Sequence, residues 1–71
     1  MMHDPDYYVR VIVARRIEPS LLPLMIRDTE PEVRRSVARR IAPEWLGRLA
    51  VDEDPGVRVA AVERMSLERS T

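Results

Sequence analysis

The chain has 71 residues and no cysteine, and its twelve basic side chains balance twelve acidic ones. This length allows one small domain, and the hydrophobic fraction of 45% is that of a globular rather than a disordered chain. Without cysteine, disulfides, thiolate metal ligands and thiol redox chemistry are excluded. The apolar runs are too short to cross a bilayer and the acidic start is unlike a signal peptide, so we expect a cytoplasmic protein with no membrane partner.

The sequence repeats itself with a period of 24 residues. Segment 4–16 reads DPDYYVRVIVARR, segment 28–40 reads DTEPEVRRSVARR, and segment 52–64 reads DEDPGVRVAAVER. A constant period across three copies is the signature of a repeat protein. We therefore expect a single repeat domain over residues 1–71, with repeats at about 4–27, 28–51 and 52–71, the last one incomplete.

Each repeat is predicted to open with an α-helix, at about 6–17, 30–41 and 54–66. Pro31 and Pro55 suit the first turn of such helices, and Thr29 with Glu32 has the spacing of a capping box. The apolar positions recur at helical spacing and are expected to form the core. They are Val9, Ile12, Val13 and Ile17, then Val33, Val37 and Ile41, then Val57, Ala60, Ala61 and Met65.

A shorter second segment follows each helix. It reads PSLLPLMI over 19–26 and PEWLGRLA over 43–50, and residues 66–71 begin a third copy and stop. Pro23 and Gly47 disfavour a long α-helix, so the sequence leaves open a single α-turn or a 3₁₀ helix. Trp45 takes the position of Leu21 in the previous repeat, which favours a role in filling the core.

The repeated motif, Asp-x-(Asp/Glu)-(Pro)-x-Val-Arg-x-x-(Val/Ala)-(Ala/Val)-x-Arg, resembles that of the leucine-rich repeat variant family, which is similar in appearance to HEAT-like repeats. The resemblance covers roughly residues 4–67. It implies an all-α, short right-handed solenoid of about two and a half repeats, in which α-helices alternate with 3₁₀ helices. Some members hold an iron–sulfur centre through cysteines that this chain lacks, so we expect no cofactor. Some occur near nitrogen-fixation genes, which suggests a bacterial context.

A ladder of charged residues accompanies the period. Three aspartates lie six residues before three arginines, and the pairs are Asp4 with Arg10, Asp28 with Arg34, and Asp52 with Arg58. We expect each arginine to fork onto the aspartate of its own or the next repeat, which would be a structural role. The functional alternative is a row of arginines offered to phosphates.

The remaining arginines carry the functional prediction. All twelve basic residues are arginine, and residues 10–48 hold nine of them against five acids, a local charge of +4. Arg15, Arg35 and Arg39, together with Val11, fall opposite the apolar stripe and should be exposed, and Arg48 is a fourth candidate. We predict a non-catalytic interaction or scaffold module that presents these arginines to a protein with an acidic surface.

Two other functions stay open. A HEAT-like solenoid can follow a phosphate backbone, but the balanced charge, the lack of lysine and the few aromatic residues make nucleic acid the less favoured partner. Self-assembly through the uncovered repeat ends is the other, because each repeat buries its faces only against its neighbours. An enzyme is not expected: there is one histidine, no glycine-rich phosphate loop and no metal-ligand cluster in the sequence.

Overall fold

A computed structural model of the chain describes residues 5–70, with side chains for residues 7–69. These residues form six helical segments and no strand. In chain order they are α1 (Pro5–Arg16), the 3₁₀ helix η1 (Pro19–Met25), α2 (Pro31–Ala38), the 3₁₀ helix η2 (Pro43–Trp45), α3 (Leu46–Leu49) and α4 (Pro55–Ser70). The predicted all-α fold class is confirmed.

Proline begins most of these helices. η1, α2, η2 and α4 start at Pro19, Pro31, Pro43 and Pro55, which follow one another at intervals of twelve residues. A proline lacks the N–H that would be unpaired in a first helical turn, and its fixed φ already suits a helix. It also keeps the preceding residue extended, as at Glu30, where φ is −97° and ψ is 121°. The prolines thus separate each helix from the one before.

The third repeat departs from this rule. Its helix α4 continues to Ser70, so the separate short segment predicted from residue 66 onward is wrong. The first two repeats have Pro19 and Pro43 at the position where the third has Leu67. With no proline to stop it, the helix runs on.

The two short segments differ from each other. η1 is a 3₁₀ helix throughout and includes Pro23, whereas η2 leads directly into α3, a single α-turn that contains Gly47. Both conformations that the sequence left open therefore occur. The long helices begin within one residue of their predicted starts, and α2 ends at Ala38, earlier than predicted.

The aspartates before α2 and α4 tie down the start of each helix. Asp28 accepts a hydrogen bond from the Glu30 N–H at 2.9 Å, and Asp52 accepts one from the Asp54 N–H at 2.9 Å. The predicted capping box is wrong, because Glu30 rather than Thr29 is the N-cap of α2 and makes no side-chain capping bond. Aspartates placed two residues earlier satisfy these backbone groups instead.

The core runs through the middle of the molecule, where α2 contacts α1, η1, α3 and α4. Its largest fully buried side chains come from α2 and its surroundings: Leu22, Val33, Val37, Ile41, Leu46, Leu49 and Val57. The helices on either side expose more of their apolar residues, and Met65 of α4, predicted to be core, is exposed. Burial is therefore concentrated in the second repeat.

The buried face of α1 is not the predicted one. Val9 and Val13, expected in the core, are exposed, and Val11, expected at the surface, is buried together with Ala14. Among the described helices, α1 makes its main contacts with α2. In α2 the residue equivalent to Val9, Val33, is fully buried. Burial at these positions follows from which neighbouring helix is present, not from the apolar stripe alone.

No helix within residues 5–70 is both long enough and apolar enough to cross a membrane.

Candidate functional site

Three of the four predicted surface arginines line one groove between α1 and α2. We call this the arginine groove; its volume is about 210 Å³ and its lining residues are Val11, Arg15, Glu32, Arg35, Ser36, Arg39 and Arg40. Arg35 and Ser36 of α2 stand three and four positions after Glu32, and Arg39, the C-cap of α2, stands seven after it, which places them on one face. Four arginines and one glutamate give the lining a formal charge of +3.

The groove arginines differ in exposure and in the contacts that their guanidinium groups make. Arg15 and Arg39 are exposed, and neither forms an ion pair with any residue in the described part of the chain. Arg35 is paired with Glu32, at 2.6 Å from Nη2 to Oε1. Arg40 donates through Nη1 to the Ala14 carbonyl at 2.8 Å. Arg15 and Arg39 are therefore the groove cations best placed to receive an external anion.

Arg48 lies elsewhere, so the structure does not bring the four candidates together. Its guanidinium carbon sits 4.9 Å from the centre of the Trp45 ring, a cation–π contact. It lines a second hollow of about 570 Å³ that also contains Arg27 and the acids Asp52 and Glu53. Trp45 itself is half-buried and packs against the core. Arg48 thus belongs to a mixed-charge surface rather than to the arginine groove.

The Asp–Arg ladder links successive repeats. Arg10 donates to Asp28 at 2.8 Å through Nε and 3.2 Å through Nη2, and Arg34 donates to Asp52 at 2.8 Å and 3.1 Å through the same atoms. Each arginine therefore forks onto the aspartate of the following repeat. Arg34 and Arg58 also donate to the carbonyls of Asp28 and Asp52, the leads of their own repeats. Asp4, the first predicted member, lies outside the described residues.

A second set of arginine bonds was missed by the sequence analysis. Arg40 donates to the Ala14 carbonyl at 2.8 Å, and Arg64 donates to the Ala38 carbonyl at 3.1 Å. Ala14 and Ala38 lie in the last turns of α1 and α2, where backbone carbonyls lack a helical partner. The signal in the sequence was the recurrence of Arg16, Arg40 and Arg64 at the 24-residue period.

Burial and charge act against each other at the second rung of the ladder. Desolvation by itself would raise the pKa of Asp52, but the hydrogen bonds from Arg34 and from the Asp54 N–H, with the charges of Arg34 and Arg58, bring this pKa below its ordinary value. The hydrogen bond to Asp52 is the main cause that raises the pKa of Arg34. Both groups are therefore held in their charged forms.

The described residues contain no group of three or more histidine, aspartate and glutamate side chains placed to hold a metal ion. In comparisons with known proteins, no family model, curated protein or solved structure matches the chain.

Proposed function

We propose that this protein is a non-catalytic interaction module that binds an acidic segment of a partner protein in the arginine groove. The observation that supports this most directly is the pair Arg15 of α1 and Arg39 at the C-cap of α2, both left without ion-pair partners in the described structure. Guanidinium groups fork onto carboxylates, and two of them on adjacent helices offer more specificity than one.

We also propose that the scaffold is a right-handed solenoid of about two and a half repeats similar to leucine-rich repeat variants. Three kinds of contact in the structure support this, since each recurs after 24 residues. They are the forks of Arg10 and Arg34, the backbone bonds of Arg40 and Arg64, and the aspartate bonds to Glu30 and Asp54. Neighbouring repeats that share one set of junction contacts are what a solenoid requires.

A carboxylate-bearing protein segment fits the groove better than a nucleic acid does. Glu32 lies inside the groove but is paired with Arg35, so the anion sites left open are those beside Arg15 and Arg39, which two carboxylates of a short peptide can fill. The lining also offers no aromatic ring on which a base could stack. The nucleic-acid alternative is therefore an outcome of the test rather than the favoured proposal.

The test is a titration of the purified chain into a fluorescein-labelled oligoglutamate peptide, followed by anisotropy. The variant Arg15→Glu/Arg39→Glu should bind the peptide at least about tenfold more weakly, because both free groove cations are reversed. The matched control is Arg27→Glu/Arg48→Glu, which makes the same change of charge at two exposed arginines of the other hollow. The control should retain affinity within about threefold.

Two results would overturn the proposal. Equal losses in the groove and control variants would mean that net charge, not the groove, attracts the peptide. Tighter binding of labelled DNA than of the peptide, with a steep loss in salt and the same dependence on Arg15 and Arg39, would reassign the groove to phosphate backbones. Circular dichroism of each variant shows whether the helices are retained.

A further inference from the structure

The hollow that contains Arg27 and Arg48 is formed by the middle of the chain. Its volume is about 570 Å³, and all of its lining residues lie between positions 26 and 53. Arginines, acids and apolar side chains line it together, and we call it the mixed hollow. It lies apart from the arginine groove, with which it shares no lining residue.

One feature beside the mixed hollow is not explained by the repeat scaffold. The lining residues Arg34 and Asp52 belong to the Asp–Arg ladder, whose bonds recur with the 24-residue period. The pair Trp45 and Arg48 does not recur, because the first repeat has leucine at both equivalent positions, 21 and 24. A contact found in every repeat serves the stacking of repeats, whereas a contact in one repeat is not required by it.

The contact with Trp45 leaves Arg48 able to bind an anion. Its guanidinium carbon sits 4.9 Å from the centre of the Trp45 ring. A cation–π contact uses the charge of a guanidinium group, whose N–H donors remain at the edge of its plane. Arg48 is exposed and forms no ion pair with any described residue. Trp45 therefore positions Arg48, and the edge of the guanidinium can fork onto a carboxylate.

The charges of the mixed hollow suit one negative charge rather than several. Arg34 and Asp52 are paired, which leaves Arg27, Arg48 and Glu53. All three are exposed, and none of them forms an ion pair within the described residues. Two cations and one anion leave a charge of +1, and Glu53 would repel the further carboxylates of a polyanion. A ligand with a single carboxylate matches this balance.

The apolar part of the lining calls for an apolar group on the same ligand. It consists of Ile26, Leu49 and Val51. Leu49 is almost fully buried, whereas Val51 is 79% exposed and can lose much apolar surface to a ligand. A ligand that carries both a carboxylate and a short apolar side chain would contact both kinds of lining residue at once.

We infer that the mixed hollow binds the carboxyl terminus of a partner protein whose last residue is apolar. That residue carries one carboxylate and one apolar side chain a few bonds apart. Arg27 and Arg48 hold the carboxylate, and the side chain covers Ile26 and Val51. Capture of a terminal carboxylate is an established mode of peptide recognition. A long aliphatic acid fits less well, because its chain would displace water from the charged lining residues.

The mixed hollow and the arginine groove select different ligands. The groove presents Arg15 and Arg39 to two carboxylates, whereas the hollow presents its arginines to one carboxylate beside an apolar group. Oligoglutamate satisfies the first requirement and lacks the apolar group of the second. A charge-reversal variant of each site is therefore the matched control for the other.

The test measures fluorescence anisotropy of a short uncharged peptide with fluorescein at its amino terminus and leucine at its free carboxyl terminus. Two matched peptides differ in one feature each: one ends in leucine amide, and the other ends in serine with a free carboxylate. Wild-type protein should bind the leucine carboxylate peptide at least about tenfold more tightly than the amide, because the amide lacks the charge. It should bind the serine peptide about fivefold more weakly, because apolar contact is lost.

The variants separate the two kinds of lining residue. Arg27→Glu/Arg48→Glu should weaken the leucine carboxylate peptide at least about tenfold, whereas Arg15→Glu/Arg39→Glu should change its affinity less than about threefold. Val51→Ser should reduce the preference for leucine over serine and leave the preference for carboxylate over amide unchanged, which a general loss of structure would not do.

Trp45 is tested as a positioning residue. Trp45→Leu gives the second repeat the residue that the first has at position 21, so the core position stays apolar. The variant should bind the leucine carboxylate peptide several-fold more weakly, because Arg48 loses the ring that holds it. Combined with Arg48→Ala, the substitution should cause no further loss, because its effect acts through Arg48.

Equal affinities for the carboxylate and amide peptides would overturn the inference, and so would the absence of binding up to about 1 mM. Equal losses in the two double variants would also overturn it, because net charge would then attract the peptide. Octanoate that displaces the peptide at a lower concentration than unlabelled peptide does would reassign the hollow to small aliphatic acids. Circular dichroism checks that each variant keeps its helices, and Arg48→Gln replaces the double variant if it does not. Oligoglutamate binding depends on the other site, so the two proposals can fail separately.

Discussion

The two rungs of the Asp–Arg ladder make the same bonds in different surroundings. In both, Nε of the arginine lies 2.8 Å from Oδ2 of the aspartate, but the Arg10 side chain is 36% exposed and the Arg34 side chain only 9%. Arg34 is in the second repeat, with helices on both sides, whereas Arg10 is at the edge. An ion pair that solvent reaches contributes little to the free energy of unfolding. Removing one partner of a buried pair lowers that free energy by much more. One motif therefore has two energetic roles, and position in the stack decides which.

The largest difference in stability between the second repeat and the edge of the molecule should come from truncating an apolar side chain to alanine. Ile41→Ala removes a fully buried side chain and should cost about 3 kcal/mol, whereas Ile17→Ala, at the half-buried equivalent, should cost less than half of that. A chain of this size has a free energy of unfolding of about 5 kcal/mol, so the first variant should keep only about 2 kcal/mol of it. Urea denaturation followed at 222 nm measures both. Equal losses in the free energy of unfolding for the two variants would contradict this prediction.

The ladder itself should give the next largest difference. Arg34→Ala leaves the Asp52 carboxylate with little water and without its guanidinium hydrogen bonds, and also removes the bond to the Asp28 carbonyl, so we expect a loss of about 2 kcal/mol in the free energy of unfolding. Arg10→Ala should cost under about 1 kcal/mol, because solvent reaches that pair. The same denaturation experiment applies. A loss for Arg10→Ala as large as for Arg34→Ala would contradict the comparison.

The pH dependence of stability sharpens the comparison further. The pKa of Asp52 is lowered on folding, so its stabilisation is complete above the unfolded value of about 3.9 and is lost as the pH falls through the lower folded value. The free energy of unfolding should therefore drop more steeply below about pH 4 in wild type than in Arg34→Ala. Urea titrations at a series of pH values measure this. Asp52→Asn is the control, and it should likewise reduce the fall in the free energy of unfolding below about pH 4. If the free energies of wild type and Arg34→Ala fell in parallel with pH, Asp52 would not be the group responsible.

The smallest effect should come from two glycines in the second and third repeats. A Cβ on Gly47 would meet no atom within 4 Å, so Gly47→Ala should stabilise α3 by about 0.5 kcal/mol. A Cβ on Gly56 would lie 3.1 Å from Oδ2 of Asp54, the atom that accepts the Val57 N–H at the start of α4. Gly56→Ala should therefore give no gain. Thermal unfolding of both variants measures these changes in stability. A larger stabilisation by Gly56→Ala than by Gly47→Ala would contradict this reasoning.

The features that could be predicted from sequence are those that recur with the period. The three long helices, their proline starts and the acidic leads repeat in equivalent surroundings, so one copy informs the others. The continuation of α4 was missed, although Leu67 stands where the other repeats have the proline that follows the helix. Local sequence was sufficient for these features.

The features that could not be predicted depend on neighbours. Val9 and Val33 have the same place in the repeat, yet one is exposed and the other is fully buried. Val11 was expected at the surface because it stands opposite the local apolar stripe, but α2 covers that side of α1. The arginine groove is likewise made by two helices, and the sequence predicted its exposed members without showing that Arg15 and Arg39 share one hollow while Arg48 does not.

The short range of the ladder bonds has a consequence for the rate of folding. The bonds that join repeats span 18 residues for the forks and 26 for the backbone bonds, so no junction requires the chain to close a long loop. Helical proteins dominated by such local contacts fold in microseconds to milliseconds. The second repeat takes part in both junctions, so we expect its helix α2 to form early and order to spread from it toward the two ends.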